Sequence, residues 1–338
     1  MPFEPSTDLP RRIAIIGGGI SGMAAAYLLK DRHNVTLYEA EPRLGGHART
    51  VMAGKRGDQP VDTGFIVFNK VNYPHLVSLF DELDVPVTES NMSFGLSARG
   101  GRLEYGLADL RTVFAQRRNV ANPAFLRMLR DIVRFNKLAR DTVTPDMTIG
   151  ALIERLRLGA WFRDYYILPF SGAIWSTPCR GILDFPAEAL VRFFENHALL
   201  GYEGQHQWYT VKDGSIEYVR RLEAALTRAG VDLRTGAPAA QVRRDAAGVH
   251  VDTYGAGSDH FDEVIFATHS DQALALLEKP TAPEREALSA VRYQPNHAVL
   301  HADTSVMPRR RAVWSSWVYK EPQTGPADRI ALSYWMNS

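Results

Sequence analysis

Cysteine is nearly missing from this sequence. Cys179 is the single one in 338 residues, which excludes an intramolecular disulfide and any multi-cysteine metal or iron–sulfur site and fits a reducing, cytosolic compartment. Net charge is nearly missing too. With 39 basic and 38 acidic residues, a balance of +1, no global field draws nucleic acid or an acidic partner, so any electrostatic targeting is local. No run approaches the roughly eighteen apolar residues of a membrane span. The opening MPFEPSTDLPRR also lacks the apolar core of a signal peptide. The expectation is a cytoplasmic protein. Hydrophobic residues make up 45% of the chain, enough to bury a core for one large domain or two ordinary ones.

Glycine, by contrast, is concentrated near the start. Residues 12–16 are a short β-branched apolar run, as expected of a parallel strand buried on both faces, and GGGISG follows at once. An alanine-rich helix opens at Ile20 and Ser21. In this order Gly17 permits the tight turn, Gly19 lets backbone approach a pyrophosphate, and Gly22 lets helix and strand pack closely. The phosphate then rests on the helix N-terminus. A second strand, NVTLYE, ends at Glu39, at the distance where an acidic side chain accepts hydrogen bonds from an adenosine ribose. These features point to a dinucleotide but leave NAD and FAD equal.

A second glycine pair separates the two. After Glu39 the chain turns through Ala40 to Leu44 and presents Gly45 and Gly46, whose bare backbone would lie against a dinucleotide from the side opposite the first loop. Arg43 and Arg49 would bring positive charge there. In VDTGFIVFN (61–69) Gly64 interrupts an apolar strand, and glycine inside a strand often marks the close approach of a ligand. Each segment alone reads equally as a surface turn or a bulged strand. Their order favours FAD.

GGGISG, YEAEPRLGGHART and VDTGFIVFNKVNYPHLVSLFDEL together resemble the N-terminal part of the flavin-containing amine oxidase and phytoene desaturase superfamily. The likeness is nearer to bacterial FAD-binding amine oxidase-like proteins, which are similar to the N-terminal domain of plant cyclopropane fatty acid synthases. Gly45–Ala48, Gly64–Asn69 and Asn91–Phe94 carry that second likeness. The resemblance implies an α/β fold: a Rossmann-like FAD-binding domain of the GR2 type, formed by 1–72 and 205–290. A mainly helical substrate or cap domain, 73–204 and 291–338, is inserted into it. It further implies that Gly64, Phe65 and Ile66 run past the flavin ring, that His47 neighbours the cofactor, that Val242 meets the adenine end through backbone, and that Ala267 and Thr268 close around the dinucleotide. Superfamily members end in a glycine- and acid-containing segment covering the pyrophosphate. Here the sequence stops at ALSYWMNS with no match to it, so the expectation is that this C-terminal part is missing or comes from a partner chain.

Between these halves the pattern turns helical. YPHLVSLFDEL places Leu76, Leu79, Phe80 and Leu83 on one side of a helix, and 123–141 gives another with Phe125, Leu129, Ile132 and Val133 as its stripe. From Leu107 to Asp141 there are eight Arg or Lys (111, 117, 118, 127, 130, 134, 137, 140) against three Asp (109, 131, 141), a net of +5. That segment reads either as an ordinary solvated face or as a peripheral contact with an anionic membrane. YYILPFSGAIWSTP (165–178) is apolar and aromatic, suited to an acyl-sized pocket or to buried helix packing. Farther on, 207–226 reads as a turn at Asp213 and Gly214 and then a helix with Ile216, Val219, Leu222 and Leu226 in register. AAQVRRDAAGVHVDT and HFDEVIFAT read as strands.

No second GxGxxG occurs, so a separate NAD(P)H domain is not expected and electrons come from the substrate. The leading expectation is an FAD-dependent oxidoreductase dehydrogenating a lipid-linked acyl chain, methyl-branched or cyclopropane-modified, by hydride transfer to flavin N5. A flavin amine oxidase and a catalytically silent nucleotide- or lipid-binding module are the alternatives. No catalytic acid, base or metal ligand is identified. Asn69, Tyr73 and His75 read as structural hydrogen-bonders.

Overall fold

The computed structural model describes residues 9–201, 204–255, 257–321 and 331–336. The N-terminal stretch read above for a signal peptide therefore lies largely outside the described residues, as do the last two residues of ALSYWMNS. The chain divides into two units: Met1–Val67, His75–Thr88 and Thr210–Ala298 in one, Phe68–Pro74, Glu89–Tyr209 and Val299–Ser338 in the other.

In the first unit β1 (Arg12–Ile16) is central because four of its five side chains are buried. A strand buried on both faces needs neighbours on both edges, and parallel neighbours need helical crossovers. Helix α1 (Ile20–Leu29) makes the crossover to β2 (Asn34–Tyr38), burying Gly22, Met23 and Ala26 and packing against α2 (Ile216–Arg228). The parallel sheet is completed by β3 (Asp232–Arg234) beside β2 and, on the other edge of β1, by the last strand before Ala267. In register, Ile16 lies opposite Tyr38 and Phe266. A separate antiparallel sheet of β4 (Ala239–Asp245), β5 (Gly248–Thr253) and β6 (Gly257–Phe261) lays Val242, Val249, Val251 and Phe261 against Ala14, Ile16 and Tyr38.

HFDEVIFAT, read as one strand, is two. Its first half belongs to β6 in the antiparallel sheet, and its second is β7 (Glu263–Phe266) in the parallel one. The chain changes sheets at Asp262, whose carboxylate accepts the Arg12 N–H at 2.6 Å. Periodicity cannot register that break, because both halves alternate.

A hairpin of Thr50–Ala53 and Gln59–Asp62 holds α2 in place. Buried Asp62 accepts the Ser215 N–H at 2.8 Å and hydroxyl at 2.7 Å, and the Thr50 hydroxyl at 2.5 Å. The Thr50 oxygen in turn accepts Ile216 N–H at 3.0 Å. Helix Pro74–Glu82 buries Phe80, with Leu76 and Leu79 half-buried. Most of it belongs to this unit, although in sequence it opens the inserted segment.

The second unit is helical but built around a four-stranded sheet, ordered Leu332–Tyr334, Trp317–Lys320, Phe94–Ala98, Leu103–Gly106. These strands are too short, and too far apart in sequence, to stand out as a pattern. Helix Pro123–Thr142 is capped by Asn122, whose side chain accepts the Ala124 and Phe125 N–H groups. It buries Phe125, Met128, Ile132, Phe135 and Ala139. Val133, read above as part of the apolar stripe, is half exposed at 50%. The helix turns 100° per residue, so neighbouring positions 132 and 133 cannot both centre the same face. In the aromatic stretch a π-helical turn, Arg163–Ile167, runs into Leu168–Trp175; Tyr166, Ile167 and Phe170 are buried, while Tyr165, Leu168 and Trp175 are half-buried.

Candidate functional site

The glycine loop between β1 and α1 is closed by backbone. Gly17 N–H donates to Tyr38 C=O and Ala267 N–H to Ile16 C=O, each at 2.8 Å. Gly17 has φ +111°, and a Cβ there would meet the Ala267 carbonyl oxygen at 2.6 Å. On Gly22 a Cβ would lie 1.9 Å from the Gly17 carbonyl oxygen. These two glycines serve the turn and the helix–strand approach. Gly19 differs: its φ is an ordinary −74°, and a Cβ would meet nothing nearer than Gly46 Cα at 4.0 Å. The protein leaves that side open. No side chain caps α1 at Gly19, so the first helical N–H groups at Ile20 and Ser21 have neither intrahelical nor capping partners.

The second glycine pair reaches this loop. Gly45 N–H donates to Gly18 C=O at 2.8 Å, and Gly19 and Gly45 form a parallel bridge. Gly45 has φ +107° and Gly46 φ +54°, a left-handed run that only glycine adopts without strain. A Cβ on Gly46 would lie 3.0 Å from Gly19 Cα. Two bare backbones therefore face each other. Gly18 was missed from sequence. Its N–H donates to Glu39 Oε2 at 2.6 Å, and a Cβ there would strike Leu44 Cδ2 at 2.7 Å and that carboxylate oxygen at 2.9 Å. The triple glycine was its only signal.

Glu39 also accepts the Glu41 N–H on Oε1 at 2.8 Å, so each carboxylate oxygen has one backbone donor and keeps further lone pairs. Ala40 follows at the strand end. Arg43 is engaged with its own turn: it donates to the Gly46 carbonyl at 3.0 Å and pairs with Glu41 at 3.0 Å. Its charge holds the second glycine turn in shape. Arg49 is exposed.

Gly64 has a reason within the protein. Residues 63–67 are not strand; the hairpin ends at Asp62. Phe65 N–H donates to His47 C=O at 3.0 Å, and a Cβ on Gly64 would be 2.0 Å from that oxygen. The close approach at Gly64 is backbone on backbone. The Phe65 ring meets Tyr218 edge-on at 6.1 Å. Burial, and then Asp62, push the Tyr218 hydroxyl up to about 12. Ile66 C=O accepts the Thr210 hydroxyl at 2.7 Å.

Sequence reasoning also missed a column of rings. His47 stacks on His269 at 5.9 Å, and His269 on Tyr293 at 4.0 Å and 6°. Ser270 N–H donates to the Tyr293 hydroxyl at 3.0 Å. Ala267 and Thr268 lead directly into this column. Val242 is buried in β4, its carbonyl accepting Glu278 N–H at 3.0 Å. At the end of β2, burial and a hydrogen bond to Asp259 push the Tyr38 hydroxyl far up, and it donates to that carboxylate at 2.8 Å.

In the second unit, half-buried rings form a row. Trp175 stacks on Phe185 at 5.4 Å and meets Phe193 at 6.1 Å; Phe193 stacks on His197 at 4.0 Å, and His197 on Trp208 at 5.9 Å. Helix Ala187–Asn196 carries Phe193, and its acids are neutralised: Glu188 pairs with Arg192 at 2.5 Å and Glu195 with Arg140 at 3.1 Å. Asn69 is fully buried. Its Oδ1 accepts Asn72 N–H at 2.8 Å, while its Nδ2 has no partner among the described residues. His75 is exposed; Tyr73 is only 37% exposed, and the burial of the rest raises its hydroxyl.

Residues 20–310 match the family model described as flavin containing amine oxidoreductase. Among curated proteins, protoporphyrinogen oxidase 2, chloroplastic/mitochondrial, of Arabidopsis thaliana is 56% identical over 43 residues, 12% of this chain and 8% of that one. Two solved structures share the fold. The CLA-producing fatty acid isomerase from P. acnes has a TM-score of 0.61 at 17% identity, over 85% of this chain and 64% of that one. Wild-type putrescine oxidase bound to putrescine has 0.62 at 21%, over 83% and 63%. The chain thus spans less than two thirds of each of these relatives. Among the described residues no helix is long and apolar enough to cross a membrane.

Proposed function

Since the chain belongs to the family of flavin containing amine oxidoreductases, we propose that it is an FAD-dependent oxidoreductase that dehydrogenates a lipid-linked acyl chain. Bound flavin supplies the two-electron acceptor for that chemistry. The residues present fit FAD because the open side of Gly19 and the uncapped start of α1 lie together. Gly17, Gly19, Ile20, Ser21 and Gly22 would cradle the pyrophosphate. The spare lone pairs of Glu39 would accept adenosine ribose hydroxyls, with Ala40 beside them. Gly45, Gly46 and His47 would form the facing wall, and Ala267 and Thr268 the edge. Phe65 and Ile66, held by Gly64 against His47, would border the ring.

One observation carries the choice of substrate. The half-buried row Trp175–Phe185–Phe193–His197–Trp208 adjoins a helix whose acids Glu188 and Glu195 are each paired with arginine. Aromatic faces bind an apolar chain, whereas an ammonium needs unneutralised carboxylate or an aromatic cage. One relative by fold is by its name a fatty acid isomerase, which agrees. The family name and the putrescine oxidase likeness favour an amine instead.

The deciding experiment starts with the absorbance spectrum of the purified chain before and after adding FAD and desalting. Anaerobic addition of acyl lipids and of amines then follows. Bleaching of retained flavin by acyl lipids alone supports the proposal, and bleaching by amines alone replaces it with an amine oxidase. Protein that retains FAD and is bleached by neither is a binding module.

A further inference from the structure

We infer that the solvent face of helix Pro123–Thr142, with the turn before it, docks on an anionic lipid bilayer; this does not depend on the substrate proposed above. The helix has two working faces. Phe125, Met128, Ile132, Phe135 and Ala139 are buried in the unit's core, so they hold the helix in place and cannot enter lipid. The opposite face exposes Arg127, Arg130, Arg134, Lys137 and Arg140. Leu126 and Val133, 43% and 50% exposed, stand two turns apart on one side of the helix. The turn Arg117–Ala121 adds Arg117, Arg118 and Val120, the last 58% exposed.

Of the three acids of this segment, exposed Asp141 offsets one charge of that face, and the other two do little to neutralise it. Asp131 is buried, accepting Gly159 N–H at 2.9 Å and pairing with Arg130 at 3.1 Å. Asp109 caps the short helix after it, accepting Thr112 N–H at 2.8 Å. Arg140 pairs with Glu195. Among the described residues, Arg117, Arg127, Arg134 and Lys137 have no carboxylate partner. In a chain of net charge +1, the segment 107–141 alone carries a net of +5.

Cations alone would suit any polyanion, nucleic acid included. Exposed aliphatic side chains set among them favour a surface whose anionic layer covers an apolar one, which is a bilayer of acidic lipids.

The test is cosedimentation of the full chain with vesicles of phosphatidylglycerol in phosphatidylcholine, and with phosphatidylcholine alone. Binding is expected to the first and not the second, and it should fade as salt rises from about 0.01 M to about 1 M, where the Debye length shrinks from about 30 Å to about 3 Å. Each of Arg127→Gln, Arg134→Gln and Lys137→Gln should weaken binding about fivefold. Lys55→Gln, an exposed cation in the other unit, should change nothing. Leu126→Ser with Val133→Ser should weaken binding while leaving its salt dependence intact. All these side chains are exposed, and unchanged circular dichroism checks that the variants fold. Equal binding to neutral vesicles, indifference to all three glutamine substitutions, or tighter binding to an oligonucleotide than to acidic vesicles would overturn the inference.

Discussion

Gly45 donates its N–H to the carbonyl of Gly18 at 2.8 Å, and this one bond brings two glycine loops, more than twenty residues apart, face to face. Each supplies backbone without side chains, and a Cβ on Gly46 would lie 3.0 Å from Gly19 Cα. The second glycine pair is therefore the partner of the first loop. Together they make a two-sided cradle.

Three substitutions separate fold from binding in that cradle. Gly22→Ala sets a Cβ 1.9 Å from backbone and should cost about 1–3 kcal/mol of stability, read as a lower urea midpoint. Gly19→Ala meets only open space at ordinary φ, so its stability should stay within about 0.5 kcal/mol. Gly19→Val should lose flavin on desalting. Full flavin content in that variant would sink the placement of the pyrophosphate.

Gly64→Ala should behave like Gly22→Ala. Its Cβ would fall 2.0 Å from the His47 carbonyl oxygen, which forces the 47–50 and 62–65 segments apart. Expected is a drop in melting temperature in the flavin-free protein. An unchanged apo melting curve, with flavin retention alone affected, would instead place a ligand against Gly64.

Glu284 gives a pH signature. Hydrogen bonds from Arg244, then from Thr281 N–H and hydroxyl, hold its carboxylate down at about 2, against an ordinary 4.5. A depressed folded-state value means the stabilisation is complete above 4.5 and is lost as pH falls toward 2. Carboxyl carbon NMR titration should find the low value, and Arg244→Met should return it toward 4.5. A titration near 4.5 in the unaltered protein would show that the ion pair does not form in solution.

Phe193 joins two parts of the aromatic row, touching Trp175 on one side and His197 on the other. Phe193→Ala should raise KM for an acyl substrate about tenfold or more while leaving flavin content unchanged, since a buried aromatic contact contributes about 1–3 kcal/mol. Unaltered KM would detach the row from substrate binding.

The β1–loop–α1–β2 segment ending at Glu39 was legible because its features are local. Gly17 needs positive φ, Gly22 needs to approach its own preceding strand, and the apolar run of β1 declares a strand buried on both faces. The helix Ile216–Arg228 was legible for the same kind of reason, with Val219, Leu222 and Leu226 at helical spacing all buried. Partners remote in sequence were not. Nothing near Arg43 announces that its guanidinium closes the turn at Gly46. The stacking of His47 on His269 joins residues that the chain separates by most of the nucleotide unit, and Val133 and Ile132 look alike until the core selects one of them.

By itself the amino-acid order determined the segments that resemble the family, together with the pattern of glycines and the acid at the end of β2, which follow from the conformational limits of a few adjacent residues. Tertiary structure alone decided which glycines face backbone and which face open space. It also divided HFDEVIFAT between two sheets and left Arg127, Arg134 and Lys137 unpaired beside Leu126 and Val133. Those outcomes depend on distances between atoms far apart in the chain, which burial and hydrogen bonding set only once the fold has closed.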